Sequence, residues 1–198
     1  MADEVVQGFE TPNTHSSDYN SLSFIVQQAI RDQVNTAIVC KVVGVSDAHV
    51  DVLPLVSQVD GKGEMVSPTT LFHLPFMRYH GGICAVKLNP VVGDIGLAVF
   101  TQKDCSNVGV GQSEPQKPAS NRAMSMANGF YIGGFLNSEP TTFIELKQNG
   151  SIDITAPSGV NINGNVTVSG DVVASGISLV SHVHGGVQSG GSTTSTPQ

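Results

Sequence analysis

From Ile144 to Gly176 the even-numbered positions are almost all apolar or glycine, and the odd-numbered ones almost all polar. The even series holds Ile144, Leu146, Ile152, Ile154, Ala156, Val160, Ile162, Val166, Val168, Val172 and Ala174, filled in by Gln148, Ser158, Gly150, Gly164, Gly170 and Gly176. The odd series is dominated by Glu145, Lys147, Asn149, Asp153, Thr155, Asn161, Asn163, Asn165, Thr167, Ser169 and Asp171. A period of two held through several turns predicts β-strands with one buried and one wet face. A single chain of this kind has a thin apolar ribbon and nothing to close over it. Burial then has to come from other copies, and the simplest closed solution winds several identical chains about an axis with the even face inward. The pattern predicts a shaft over residues 141–184, and the phase slips at Gly176, where Ile177 and Leu179 become the apolar positions.

Upstream, residues 1–19 are polar and read as a loose arm. Leu22, Ile25, Val26, Ala29 and Ile30 recur at helical spacing and predict one short amphipathic helix over 21–33, capped by Asn20 or Ser21. Residues 36–45 and 49–56 read as paired strands across Ser46-Asp47-Ala48. Gly61-Lys62-Gly63 marks a turn, and 65–74, 83–88 and 95–101 read as further strands. About five strands in about 65 residues fit a small barrel of OB type. Residues 106–128 are rich in Gly, Ser, Pro, Asn and Gln and read as a linker, after which 129–135 returns to strand. The chain thus divides into an arm and helix (1–34), a barrel collar (35–105), a linker and transition strand (106–140), a shaft and tip (141–184) and a polar tail (185–198).

Composition sharpens this reading. Charged residues make up 13% and aromatics 6%, with 22 glycines and no tryptophan, which suits a β-rich, turn-rich protein better than a helical bundle. A net charge of −7, tripled in a threefold assembly, argues against a nucleic-acid partner, because phosphate backbones need a basic face. The sequence predicts no membrane span and no secretory signal. Cys40, Cys84 and Cys105 are an odd count without metal spacing and read as reduced thiols of a protein made in a cytoplasm.

Candidate chemistry concentrates at one place. His182 and His184 are two apart, so on a strand both imidazoles leave the same face. Three copies would set six nitrogen donors around one axis. Six suit an octahedral ion such as Fe(II) or Ni(II), with iron preferred, whereas zinc favours four ligands. His15, His49, His73 and His80 show no ligand spacing. Gly109-Val110-Gly111 and Gly61-Lys62-Gly63 lack the helix that a phosphate or dinucleotide loop needs. Asn165-Val166-Thr167 matches a glycosylation sequon without a secretory context. Asp94, Asp104 and Asp153 form no catalytic pair in sequence, and neither a Ser-His-Asp nor a Cys-His arrangement is recognisable. Neither an enzyme nor a small-molecule substrate is indicated.

Three segments carry a family likeness. Asn89-Pro90-Val91-Val92-Gly93-Asp94-Ile95-Gly96-Leu97-Ala98-Val99-Phe100 with Asp104 resembles the OB-domain signature of the baseplate central spike of contractile-tailed phages. Residues 121–135 resemble the stretch leading from barrel to shaft in that family, although His and Asp, frequent there, are replaced by Met124, Ser125 and Asn128. Ser181-His182-Val183-His184-Gly185-Gly186-Val187-Gln188, with Gly190-Gly191, is similar to the family's tip and is the most specific part. The likeness spans about residues 35–190. It implies a mainly β homotrimer, with an OB collar, a triple-stranded β-helix and a tip holding one iron per trimer through both histidines of each chain. It further implies a virion baseplate location, a collar docked on hub or tail-tube proteins, and piercing of the host outer membrane. A type VI or tailocin spike shares most of these features. A trimeric fibre or adhesin should end in a bulky head. An OB module for oligonucleotide or glycan needs basic or aromatic strand faces, which 36–57 do not supply. A spike carrying its own lysozyme is not expected at this length.

Overall fold

A computed structural model describes residues 14, 16–60, 62–186 and 190–191, so His15, Gly61, Val187, Gln188, most of the expected arm and most of the tail lie outside the described residues. The chain forms two compact units, Met1–Glu139 and Pro140–Gln198. It is mainly β with one helix, as the composition predicts.

In the first unit, α1 (Asp18–Gln33) begins one turn earlier than the apolar spacing suggests. The cap is neither Asn20 nor Ser21. Ser17 supplies it, its hydroxyl accepting from the Asn20 N–H at 3.2 Å, while Asp18 places a carboxylate in the first turn. There follow β1 (Ala37–Val45), β2 (His49–Pro54), β3 (Gln58–Val59), β4 (Met65–Val66), β5 (Leu71–Pro75), β6 (Tyr79–Gly81), β7 (Cys84–Val86), β8 (Ile95–Phe100) and β9 (Gly129–Gly133).

Five of these strands make one curled sheet in the order β5-β2-β1-β8-β9, antiparallel throughout. Alternation decides the core. Cys40 and Val42, Val50 and Val52, Ala98 and Phe100, Leu74, Phe76 and Tyr131 are buried together, one face of each strand. The two ends of the sheet meet, since Phe76 bridges Tyr131 in parallel and the Met77 N–H donates to the Tyr131 carbonyl at 2.8 Å. A register shift between Val42 and Gly44 bends β1. Gly96 permits the tightest approach: a Cβ there would lie 2.4 Å from the Ile132 carbonyl oxygen and 2.7 Å from the Tyr131 ring.

Two expected strands are shorter and differently placed. The stretch 65–74 is broken near Pro68, so β4 pairs with β3 and only β5 joins the sheet. The stretch 83–88 contracts to β7, which pairs with β6 across Gly82, a glycine at φ 56°. The transition strand expected after the linker is β9, the fifth strand of the sheet.

In the second unit, β10 (Phe143–Leu146) and β11 (Ile152–Thr155) form a hairpin in which Ile144 faces Ile154 and Leu146 faces Ile152. β12 (Val173–Ala174) and β13 (Ile177–Ser178) form a second hairpin. Its turn residues Ser175 and Gly176 both have positive φ, 53° and 84°, the backbone of a primed two-residue turn. That turn is the physical origin of the phase slip at Gly176. No residue between 140 and 186 is buried. Ile144, Leu146, Ile152, Ile154, Ile162 and Val166 all stay at least 57% exposed, so these even-numbered side chains are left uncovered by their own chain. Residues 156–172 contain no strand, because a ribbon without a partner has no ladder to join.

Candidate functional site

The two histidines stand just beyond the β12–β13 hairpin, on a short turn that the hairpin's last residue anchors. The Ser178 carbonyl accepts the His182 N–H at 3.2 Å and lies 2.8 Å from His182 Nδ1. A carbonyl oxygen only accepts, so Nδ1 is the donor in this contact, and in a neutral ring Nε2 is the nitrogen left with a lone pair. The rings of His182 and His184 are 5.1 Å apart between centroids and inclined at 81°. A metal–imidazole bond of about 2.0–2.1 Å places the ion ~3.2 Å from a ring centroid, so two imidazoles on one ion lie ~4.5 Å apart at a right angle and ~5.2 Å at the tetrahedral angle. The observed centroid spacing falls within that range. One chain does not complete a site, since no three His, Cys, Asp or Glu side chains gather for a metal among the described residues. Two donors per chain become six only in a threefold assembly.

The local backbone comes from short polar side chains. Asp171 Oδ1 accepts from the Val180 N–H at 3.1 Å, and the Ser178 hydroxyl favours the ionised form of the same carboxylate. The Ser178 oxygen in turn accepts from the Ser181 N–H at 2.9 Å and contacts the Ser181 hydroxyl at 2.8 Å. These bonds, that from Ser178 first, hold the Asp171 carboxyl below the usual carboxylate range. The hydrophobic pattern does not single out Asp171 or Ser178; the one local sign is the Ser175-Gly176 dipeptide that marks the turn.

Elsewhere the titratable groups serve structure. Asp104 is buried, and its oxygens accept from the Ser106 N–H and hydroxyl, the Ser120 hydroxyl and the Arg122 guanidinium, which together hold its carboxyl far below the ordinary range. This pins residues 106–122 to the end of β8. Asp94 Oδ2 caps the Val91 N–H at 2.9 Å, and Asp153 pairs with Lys147. The three acids occupy separate places, and none faces another. Burial pushes the Cys40 thiol up to about 11 and the Tyr131 hydroxyl up to about 12, so neither is primed as a nucleophile. His49 and His73 approach to 6.3 Å on adjacent strands. In the 121–128 segment the Met124 carbonyl accepts from Asn35 Nδ2 at 2.9 Å, and Asn128 is buried beside the barrel.

Against this geometry, a family model described as the GpV Apex motif matches residues 176–198. The end of this chain is similar to the GpV Apex motif. The match begins at the turn glycine Gly176 and takes in both histidines. The motif is that of the baseplate central spike of contractile phage tails, in agreement with the resemblance read from the sequence. The likeness supports a spike-like structural protein of the phage baseplate. A search of curated proteins finds no match to the chain. Among the described residues no helix is long and apolar enough to cross a membrane.

Proposed function

We propose that the protein is the trimeric central spike of a contractile phage baseplate, which the contracting tail drives through the host outer membrane. The observation that carries this reading is the even face of residues 144–168. Its large apolar side chains are left exposed, and the segment leads to an Apex-like end that holds both histidines. Three ribbons wound together would bury that face as a triple-stranded β-helix and pair the backbone of 156–172, leaving no strand edge open to lipid. The sheet order β5-β2-β1-β8-β9 with its closing contact supports an OB barrel as the collar. That collar would dock on hub or tail-tube proteins, in the tail of the virion.

At the tip, His182 and His184 of each chain would hold one ion, iron by preference, and their adjacent rings, 5.1 Å apart between centroids, support that reading. Apex motifs are associated with metal at spike tips. The ion would supply a cross-link between three chain ends where little area can be buried. No catalytic role is assigned to the protein. Sedimentation equilibrium tests the assembly: the expected mass is three times the 20.6 kDa chain, and a stable monomer at micromolar concentration refutes the shaft. Elemental analysis of untagged protein tests the tip, with about one iron per three chains expected. Zinc at that ratio would keep the site and overturn the coordination argument.

A further inference from the structure

We propose that Asp171, acting through Ser178, is the positioning residue of the tip, holding His182 in the tautomer and orientation that metal binding needs. The inference rests on the metal-bound trimer proposed above and extends it to residues that no ligand spacing reveals. The chain of contacts is short and complete. Asp171 Oδ1 accepts from the Val180 N–H at 3.1 Å, which ties the carboxylate to the turn carrying Ser178 and His182, and the Ser178 hydroxyl favours the ionised form of that carboxylate. The Leu179 N–H donates to the Val172 carbonyl at 2.8 Å, closing the β12–β13 hairpin around that carboxylate. Ser178 therefore has its side chain engaged on both sides, with the Ser181 N–H at 2.9 Å on the other. Its carbonyl is left facing His182, where it receives the backbone N–H and Nδ1.

The chemical consequence follows from the carbonyl. An imidazole whose Nδ1–H is engaged has one tautomer and a more basic Nε2, which is the usual way an outer partner orients a histidine ligand. Without Asp171 the Ser178 hydroxyl and the Val180 N–H lose their common acceptor, and the carbonyl of Ser178 loses its fixed direction. His182 would then sample both tautomers and several rotamers, and each ion would have to select the competent one. The His184 ring packs edge-on against that of His182, so its placement depends on the same anchor.

The test uses the full-length trimer, purified without an affinity tag and loaded with iron, and follows metal transfer to an excess of chelator. Asp171→Ala is expected to release metal ~10-fold to 100-fold faster than wild type, the range typical of outer-partner substitutions. Asp171→Asn, which keeps an acceptor at the same place, should restore most of the retention. Ser178→Ala gives an independent arm, since it removes the hydroxyl and leaves the carbonyl, and it should release metal faster as Asp171→Ala does. Ser178→Thr should stay close to wild type. Cobalt-substituted trimers add a spectroscopic reading, with the ligand-field bands shifted in Asp171→Ala and unshifted in Asp171→Asn. A merely structural role predicts a different result: the metal-free Asp171→Ala trimer would melt earlier by as much as the loaded one. That outcome overturns the proposal, as does release at the wild-type rate from a trimer that binds metal. A wild-type trimer that holds no metal overturns both this inference and the tip reading beneath it.

Discussion

Replacing Ile154 by aspartate separates a one-chain shaft from a three-chain shaft more sharply than any other single change. Ile154 is 57% exposed in its own chain, and Ile144, its partner across the β10–β11 hairpin, is 65% exposed. If the chain stood alone, the site would be ordinary surface, and the substitution would change stability by no more than about 0.5 kcal/mol. In a closed shaft the same side chain points to the axis. Burying a whole isoleucine side chain contributes about 1.5–3 kcal/mol, so covering the 57% still open gives about 1–2 kcal/mol per chain and about 3–5 kcal/mol per trimer. Aspartate forfeits that gain and adds three carboxylates in a dry channel, each costing several kcal/mol without a partner. The total is on the order of 10 kcal/mol or more, comparable with the whole stability of a domain. Sedimentation equilibrium at micromolar concentration is the assay, with thermal melting by circular dichroism beside it. Ile154→Asp should leave monomers that retain the signal of the five-stranded sheet, while Thr167→Asp on the odd face should remain trimeric. An Ile154→Asp protein that sediments as a trimer and melts with wild type would refute the inward assignment of the even face.

Gly96→Ala should lower stability by about 2–3 kcal/mol in urea unfolding, because its methyl group would sit 2.4 Å from the Ile132 carbonyl oxygen inside the closed sheet; an unchanged midpoint would show that the strands have room to part. Asp104→Asn tests the pin on residues 106–122. The wild-type carboxyl is held below its ordinary value of 3.8, so its contribution is complete above that value and is lost as the pH falls from there toward the folded value. The gap in melting temperature between the two proteins should be widest near neutrality and should close below about pH 4; a gap independent of pH would assign the effect to packing. Particles carrying His182→Ala with His184→Ala should assemble and adsorb yet infect less efficiently. Failure to assemble would give the histidines a folding role, and unchanged infectivity would remove the metal-clamped tip from the piercing mechanism.

Strands β1, β2 and β8 were legible because each alternates apolar and polar residues and places its even members, such as Cys40, Val52 and Ala98, in the core. β9 was harder to place. It contributes Tyr131 to the core, yet 28 residues separate it from β8, and nothing local in 129–135 names a partner across such a loop. The start of α1 was missed for a related reason: the apolar spacing begins at Leu22, while the helix begins where Ser17 and Asp18 satisfy its first N–H groups. The closeness of the histidine pair could be read from its spacing. Its anchors could not, because a Ser or Asp side chain bonded to nearby backbone leaves no period in the sequence and becomes visible only when the hairpin folds Asp171 toward Val180.

The two units differ in what they need from other chains, and that difference bears on how the spike would assemble. Met1–Glu139 has a core of its own, in which nine buried side chains close one sheet upon itself. Pro140–Gln198 has no buried residue among those described and exposes its best-patterned face. A unit with a core can fold by itself, whereas a bare ribbon gains stability only when copies meet. On the proposed reading, the collar therefore folds in each chain first, and the shaft closes only in the trimer. The tip comes last. Two imidazoles from one chain make a weak chelate, and six converge only after the ribbons are wound, so the ion is captured by a finished shaft and then resists its fraying. Metal retention would in that case report the closure of the whole ribbon, and a substitution as distant as Ile154→Asp would empty the tip without touching a ligand.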